Sequence, residues 1–156
     1  MKYILENEEQ TMSDINNILP SHLDKASEEE KKIFFQTLLG LANADGHRDE
    51  RETDFITEAA AAHGINDLES LSENLTIENI VENAKKIQNR PIAMELVKEM
   101  CMLSHVDNTL SDKETLYIGR VGLALGLELA KIEQISNWII DHIIWLEQAK
   151  VIFEEE

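Results

Sequence analysis

Apolar residues along this chain recur every three or four positions instead of alternating, which is the period of amphipathic helices and not of half-buried strands. The clearest start is Ser27-Glu28-Glu29-Glu30, a reciprocal cap in which the serine hydroxyl meets the N–H three residues on and the glutamate reaches back. Ile33, Phe34, Thr37, Leu38 and Leu41 then keep helical spacing through about Asp45. A second helix is predicted from near Asp49 to Gly64, a natural left-handed C-cap, followed by a linker over 65–75. Thr76 opens a third, carrying Ile77, Ile80, Val81, Ala84 and Ile87 and stopped by Asn89-Arg90-Pro91, because the residue before proline is pushed out of the helical region. Pro91 suits the first turn of the next helix, which runs to about Val106, is apolar on most sides and is expected at the centre. Further helices follow from about Asp112 to Leu125, with Gly126 as cap, and over 129–152; a short one at 13–19 ends at Pro20.

The order contains an internal repeat. A shift of 62 places aligns LGLANADGHRDERETDFITEAAAAHGI (39–65) with CMLSHVDNTLSDKETLYIGRVGLALGL (101–127) without a gap. Leu41/Leu103, Asp45/Asp107, Glu52/Glu114, Thr53/Thr115, Ile56/Ile118, Ala62/Ala124 and Gly64/Gly126 are identical pairs. This predicts an all-α single domain of about seven helices built from a duplicated helix–loop–helix unit, the two copies packed about a pseudo-twofold axis because one helix pair cannot bury its apolar face alone. Residues 1–26 form an N-terminal extension with a short helix and 27–156 the helical domain. Small residues line the second helix of each copy, Ala59, Ala60 and Ala62 in one and Gly119, Gly122 and Ala124 in the other, and these helices are expected at the tightest contacts.

Composition narrows the function. In 156 residues, 31 acidic side chains face 14 basic ones, for a net charge of −17, so the chain lacks the basic face that direct binding to a phosphate backbone requires. Cys101 is the only cysteine, which excludes an intrachain disulfide and fits a reducing compartment. The start MKYILENEEQ resembles no signal peptide. The most apolar stretch, WIIDHIIWL at 138–146, is interrupted by Asp141 and His142 and falls far short of the roughly 20 residues of a spanning helix. The expected location is the cytoplasm.

The repeated loops carry the candidate chemistry. The first reads Ala44-Asp45-Gly46, then His47-Arg48-Asp49-Glu50-Arg51-Glu52; the second reads Val106-Asp107-Asn108, then Thr109-Leu110-Ser111-Asp112-Lys113-Glu114. This pattern resembles the TerB family of bacterial tellurite-resistance and stress-response proteins, over about residues 28–148. The second copy departs from it with Val106 for alanine and Asn108 for glycine, although asparagine also tolerates positive φ. The resemblance implies an all-helical, non-enzymatic protein. It would work with other tellurite-resistance components, including membrane-embedded ones, and bind metal ions through its acidic loops.

Two readings of the loop carboxylates stand side by side. Asp49 and Ser111 suit N-caps with Glu52 and Glu114 three residues on, and Asp45 and Asp107 suit turns at the preceding helix ends. Alternatively Asp45, Glu52, Asp107 and Glu114 coordinate a divalent cation, with His47, Asp49 and His105 as further ligands. Oxygen ligands favour Ca²⁺ or Mg²⁺, and a histidine moves the preference toward Mn²⁺ or Zn²⁺. An EF-hand is excluded, because Glu52 and Glu114 arrive too early in the loop. A tight site needs the two loops to meet.

Other chemistry is sparse. His22, His47, His63, His105 and His142 show no zinc-hydrolase spacing, Cys101 sits in an apolar helix where a buried thiol is inert, and no glycine-rich phosphate loop follows a strand. A non-enzyme is the expectation, with no catalytic residue and no organic cofactor. The apolar residues of 138–146 spread round more than one helix face, so one stripe belongs to the core and a second is either buried too or a partner surface. Two function classes remain: a cation- and protein-binding module of a tellurite or envelope-stress system, and an acidic decoy that mimics nucleic acid. Scattered acids in nearly every segment favour the first.

Overall fold

Side-chain caps set where the helices begin. The computed structural model describes residues 19–44, 46, 49–105 and 111–154, with His105 described through its backbone alone. After one 3₁₀ turn at Leu23–Lys25 come α1 (Glu28–Ala42), α2 (Glu50–Ala62), α3 (Leu68–Leu71), α4 (Ile77–Ala84), α5 (Arg90–His105), α6 (Asp112–Ala124) and α7 (Leu129–Ile152). No strand occurs among the described residues, so the chain is all-α. At α1 the Ser27 N–H donates to Glu30 Oε1 at 3.0 Å and the Glu30 N–H to Ser27 Oγ at 3.1 Å. Thr76 and Asn79 close the same kind of box at α4, with asparagine in place of the usual glutamate.

Three boundaries differ from the sequence pattern. The linker 65–75 holds α3, whose Leu68 is wholly buried. Helix α4 stops at Ala84, short of Asn89: Lys86 and Ile87 bond three residues back, to Asn83 and Ala84, and this tightened turn drops Ile87 into the core. Helix α5 begins one residue before Pro91, where the Asn89 side chain accepts from the N–H of Ile92 at 3.2 Å. The short helix expected at 13–19 lies outside the described residues except for Leu19, which is not helical.

Helix α5 is the centre of the packing, in contact with α1, α6 and α7. Leu96, Val97, Met100, Cys101 and Met102 are wholly buried there. Removal from water pushes the Cys101 thiol up to about 12, against an opposing hydrogen bond with Ser136 of α7. Helix α1 also packs on α2 and α4, and α4 on α6. At the surface Arg90 Nη2 lies 2.9 Å from Glu128 Oε2, tying the start of α5 to the start of α7. That hydrogen bond holds Glu128 below the usual carboxylate range.

Helices α1 and α2 start at residues 28 and 50, and α5 and α6 at 90 and 112, the same offset of 62. The C-termini of α2 and α6 match as well. Gly64 (φ 91°) and Gly126 (φ 85°) are left-handed; the N–H groups of Ile65 and Leu127 reach back to Ala60 and Gly122, and those of Gly64 and Gly126 to Ala61 and Leu123. This double reach is the Schellman pattern, and the buried Ile65 and Leu127 complete it. The stripe of small residues is narrower than expected. Ala60 is wholly buried, and a Cβ at Gly122 would come within 2.5 Å of Ile132 Cδ1. Ala62 is exposed, and a Cβ at Gly119 would meet nothing within 4 Å.

Candidate functional site

The two acidic loops are reached from their helix starts. Asp49 caps α2, its Oδ1 accepting from the N–H of Arg51 at 2.9 Å. Ser111 and Glu114 form a reciprocal box at α6, with bonds of 3.1 and 3.3 Å. Glu52 stands in the first turn of α2, half-buried. Asp45, His47 and Asp107 lie outside the described residues, as does the side chain of His105. Among the described residues no three histidine, cysteine, aspartate or glutamate side chains converge as metal ligands would, and one oxygen of Glu114 is engaged in its own cap.

The flanks of both loops border one cleft of about 480 Å³, with Asn43 and Ala44 from the end of α1 and Lys113 from the start of α6. Its deep wall is Tyr117, whose hydroxyl donates to the Thr37 carbonyl at 2.6 Å and whose burial pushes its titration well up. With that proton committed, the tyrosine is no general base. Lys113 and Arg120 stand on one side of the cleft, and Glu69 and Glu73 also line it. Among the described residues lining it, none pairs a nucleophile with a hydrogen-bonded base.

Helix α7 presents a different feature. Ile132, Ile139 and Ile143 form its core stripe. The other stripe is in solvent: Trp145 is 64% exposed, Val151 80%, Ile152 70% and the capping Phe153 72%. Trp138, Trp145 and Ile152 follow one another at seven-residue spacing, two helical turns apart, so they share a face. The His142 ring stacks between the two indoles, at centroid distances of 6.2 and 6.3 Å. Of the two fates the sequence allowed for this stripe, burial is therefore the wrong one: α7 packs on α5 and α6 on one side and has no described neighbour on the other.

The chain matches no known protein family, curated protein or solved structure. The surroundings of the exposed face are acidic. Glu133, Asp141 and Glu147 are exposed along α7, while Lys131 and Lys150 are engaged with Gln134 and Glu147. No helix among the described residues is long and apolar enough to cross a membrane. One arrangement was missed from sequence. Glu95 and Glu99, one turn apart on the most buried helix, are only 8% exposed each and line a second cavity. Their signal was two acids at i and i+4, with Lys98 between them, inside a run whose remaining residues are apolar.

Proposed function

We propose that this chain is a non-enzymatic, TerB-like module of a tellurite or related stress response, working through protein contacts made by the exposed face of α7. The observation that carries this reading is that face itself: two indoles along a long helix and three aliphatic or aromatic side chains at its end, exposed to water and set among carboxylates. Exposed apolar surface of this kind is typical of interfaces, and tryptophan is enriched at their energetic centres. The shared offset of helix starts and glycine caps supports a duplicated helix–loop–helix ancestry, with the two copies related by a pseudo-twofold axis.

The occupant is a helix of another protein with apolar side chains inside a basic surround. A second copy would carry its own net charge of −17, and that repulsion opposes self-association. Cytoplasmic segments flanking membrane helices carry excess Lys and Arg, so a membrane-embedded component of the same system fits this description. The repeated loops belong to the proposal as its cation-binding face, through Asp45, Glu52, Asp107 and Glu114.

Both tryptophans of the chain lie on α7, so intrinsic fluorescence reports this face directly. A synthetic amphipathic helix of Leu and Lys, titrated at about 0.15 M salt where diffuse attraction is screened, is expected to shift the emission to the blue and saturate. The same peptide with Glu for Lys is expected not to bind. The double variant Trp145→Ala, Ile152→Ala, read through Trp138, should weaken binding by about tenfold or more. Unchanged binding in that variant refutes the reading and leaves an acidic decoy that attracts basic partners by charge alone. For the loops, Ca²⁺, Mg²⁺, Mn²⁺ or Zn²⁺ at the same salt should saturate at a small integer stoichiometry and be lost on Asp45→Asn and Asp107→Asn. Without saturable binding, the four carboxylates are caps and turns only.

A further inference from the structure

A second cavity, of about 220 Å³, opens between α1, α2 and α5 beneath the segment that precedes α1. Its walls are apolar, with Phe34, Phe35 and Phe55 the largest contributors. Glu95 and Glu99 enter it from α5, beside the equally buried Lys98. Both oxygens of Glu95 are occupied: Oε2 accepts from the Ser21 hydroxyl at 2.6 Å and Oε1 from the His22 N–H at 2.7 Å. Glu99 is different. Its Oε1 faces Lys98 Nζ at 3.4 Å, and its Oε2 accepts from no described residue.

Two carboxylates against one ammonium leave a unit of negative charge among phenylalanines. Such a charge is costly in apolar surroundings unless a partner compensates it. Among the described lining residues the one other group able to carry positive charge is His63, which faces Asp24 at 3.8 Å, and burial pushes Glu99 above the usual carboxylate range, with Lys98 opposing the effect and Glu95 adding to it. A ligand that brings a positive charge and an apolar body meets the same need without a proton. A metal ion does not suit the place, because hard cations take about six oxygen ligands and the cavity offers one unoccupied carboxylate oxygen. A neutral apolar molecule fills the walls but leaves the charge unmet.

We propose that this cavity binds a small organic monocation, an ammonium group on an aryl or alkyl body. The ammonium lies against Glu99 and the body between the rings of α1 and α2, whose faces favour a nearby cation. This site is separate from the α7 face and stands or falls independently of it.

The test uses phenethylammonium as probe and 2-phenylethanol as its neutral counterpart, each titrated into the full chain at about 0.15 M salt so that diffuse attraction to the −17 surface is screened. Amide and methyl NMR shifts report where each binds. Phenethylammonium is expected to saturate one site with changes centred on Phe55, Ala59 and Leu103, and to bind about tenfold or more tighter than the alcohol. In Glu99→Gln that preference should vanish, with the alcohol unaffected. Equal affinity of amine and alcohol for the wild-type chain overturns the proposal without reliance on any variant. So does a shift pattern confined to surface carboxylates, the absence of saturation, or a preference that survives Glu99→Gln.

Discussion

Gly40 sits where α1 crosses Tyr117, and adding one methyl group there tests the packing argument. A Cβ at Gly40 would stand 2.5 Å from the Tyr117 hydroxyl and 2.6 Å from Ile80 Cδ1. The isoleucine end can swing into the adjoining cleft, which Ile80 lines. The tyrosine cannot move so freely, because it is buried and its hydroxyl is held by the Thr37 carbonyl. Alanine at position 40 gains at most about 1 kcal/mol of helix propensity. Against that stand overpacking of about 1–3 kcal/mol and loss or distortion of a buried hydrogen bond, about 1 kcal/mol. The expected net result for Gly40→Ala is a destabilisation of about 1–3 kcal/mol, a fall in Tm of a few degrees at this chain length. Gly119→Ala is the control: the same change in a helix interior with open space around it should stabilise by about 0.5–1 kcal/mol. Urea unfolding of both variants, each also made in a Tyr117→Phe background, gives a double-mutant cycle. Removing the hydroxyl relieves the nearest contact, so Gly40→Ala should cost about 1 kcal/mol less in that background. If Gly40→Ala is as stabilising as Gly119→Ala, or if the cycle shows no coupling, the close approach of α1 and α6 is not what orders this region.

Three further outcomes follow from local geometry. Ser111→Ala opens the cap of α6 and should cost about 1 kcal/mol by chemical denaturation, whether or not the loops hold a cation. Gly126→Ala forces a side chain into a left-handed position and should cost about 1–2 kcal/mol, with Gly64→Ala behaving alike. Glu99 keeps its proton to higher pH when folded than the 4.5 of the free side chain. Its penalty is therefore absent below about that value and grows as pH rises through the folded titration. The stability of Glu99→Gln relative to the wild type should accordingly rise from acid to neutral pH, measured as the difference in urea midpoints; a pH-independent difference would refute the burial of that charge.

The long helices were legible because their signals are local. Ser27, Thr76 and Ser111 mark starts, Gly64 and Gly126 mark ends, and apolar spacing fills the interval. Helix α3 was not legible, since four residues are too few to show a period, and its burial comes from contact with α1 and α2. Which stripe of α7 faces water is likewise a tertiary matter: Ile143 and Ile144 are adjacent in sequence, and only packing on α5 and α6 sends one inward and leaves the other out. Of the candidate ligands, Asp49, Glu52 and Glu114 were placed correctly at helix starts, because a cap is defined by the backbone beside it. Glu95 and Glu99 escaped because an acid within an apolar helix gives no sign of whether it points to water or to a cavity.

Cys101 gives the chain a built-in clock. Its sulfur is shut inside the contact of α5 with α7, and as the sole thiol it has no partner with which to form an intrachain disulfide. A thiol reagent in solution must therefore wait for α7 to lift from α5 before it can react. When closing is fast relative to reaction, the labelling rate measures the population of that opened form. Comparing it with global unfolding shows whether α7 detaches as a unit or only together with the rest of the core.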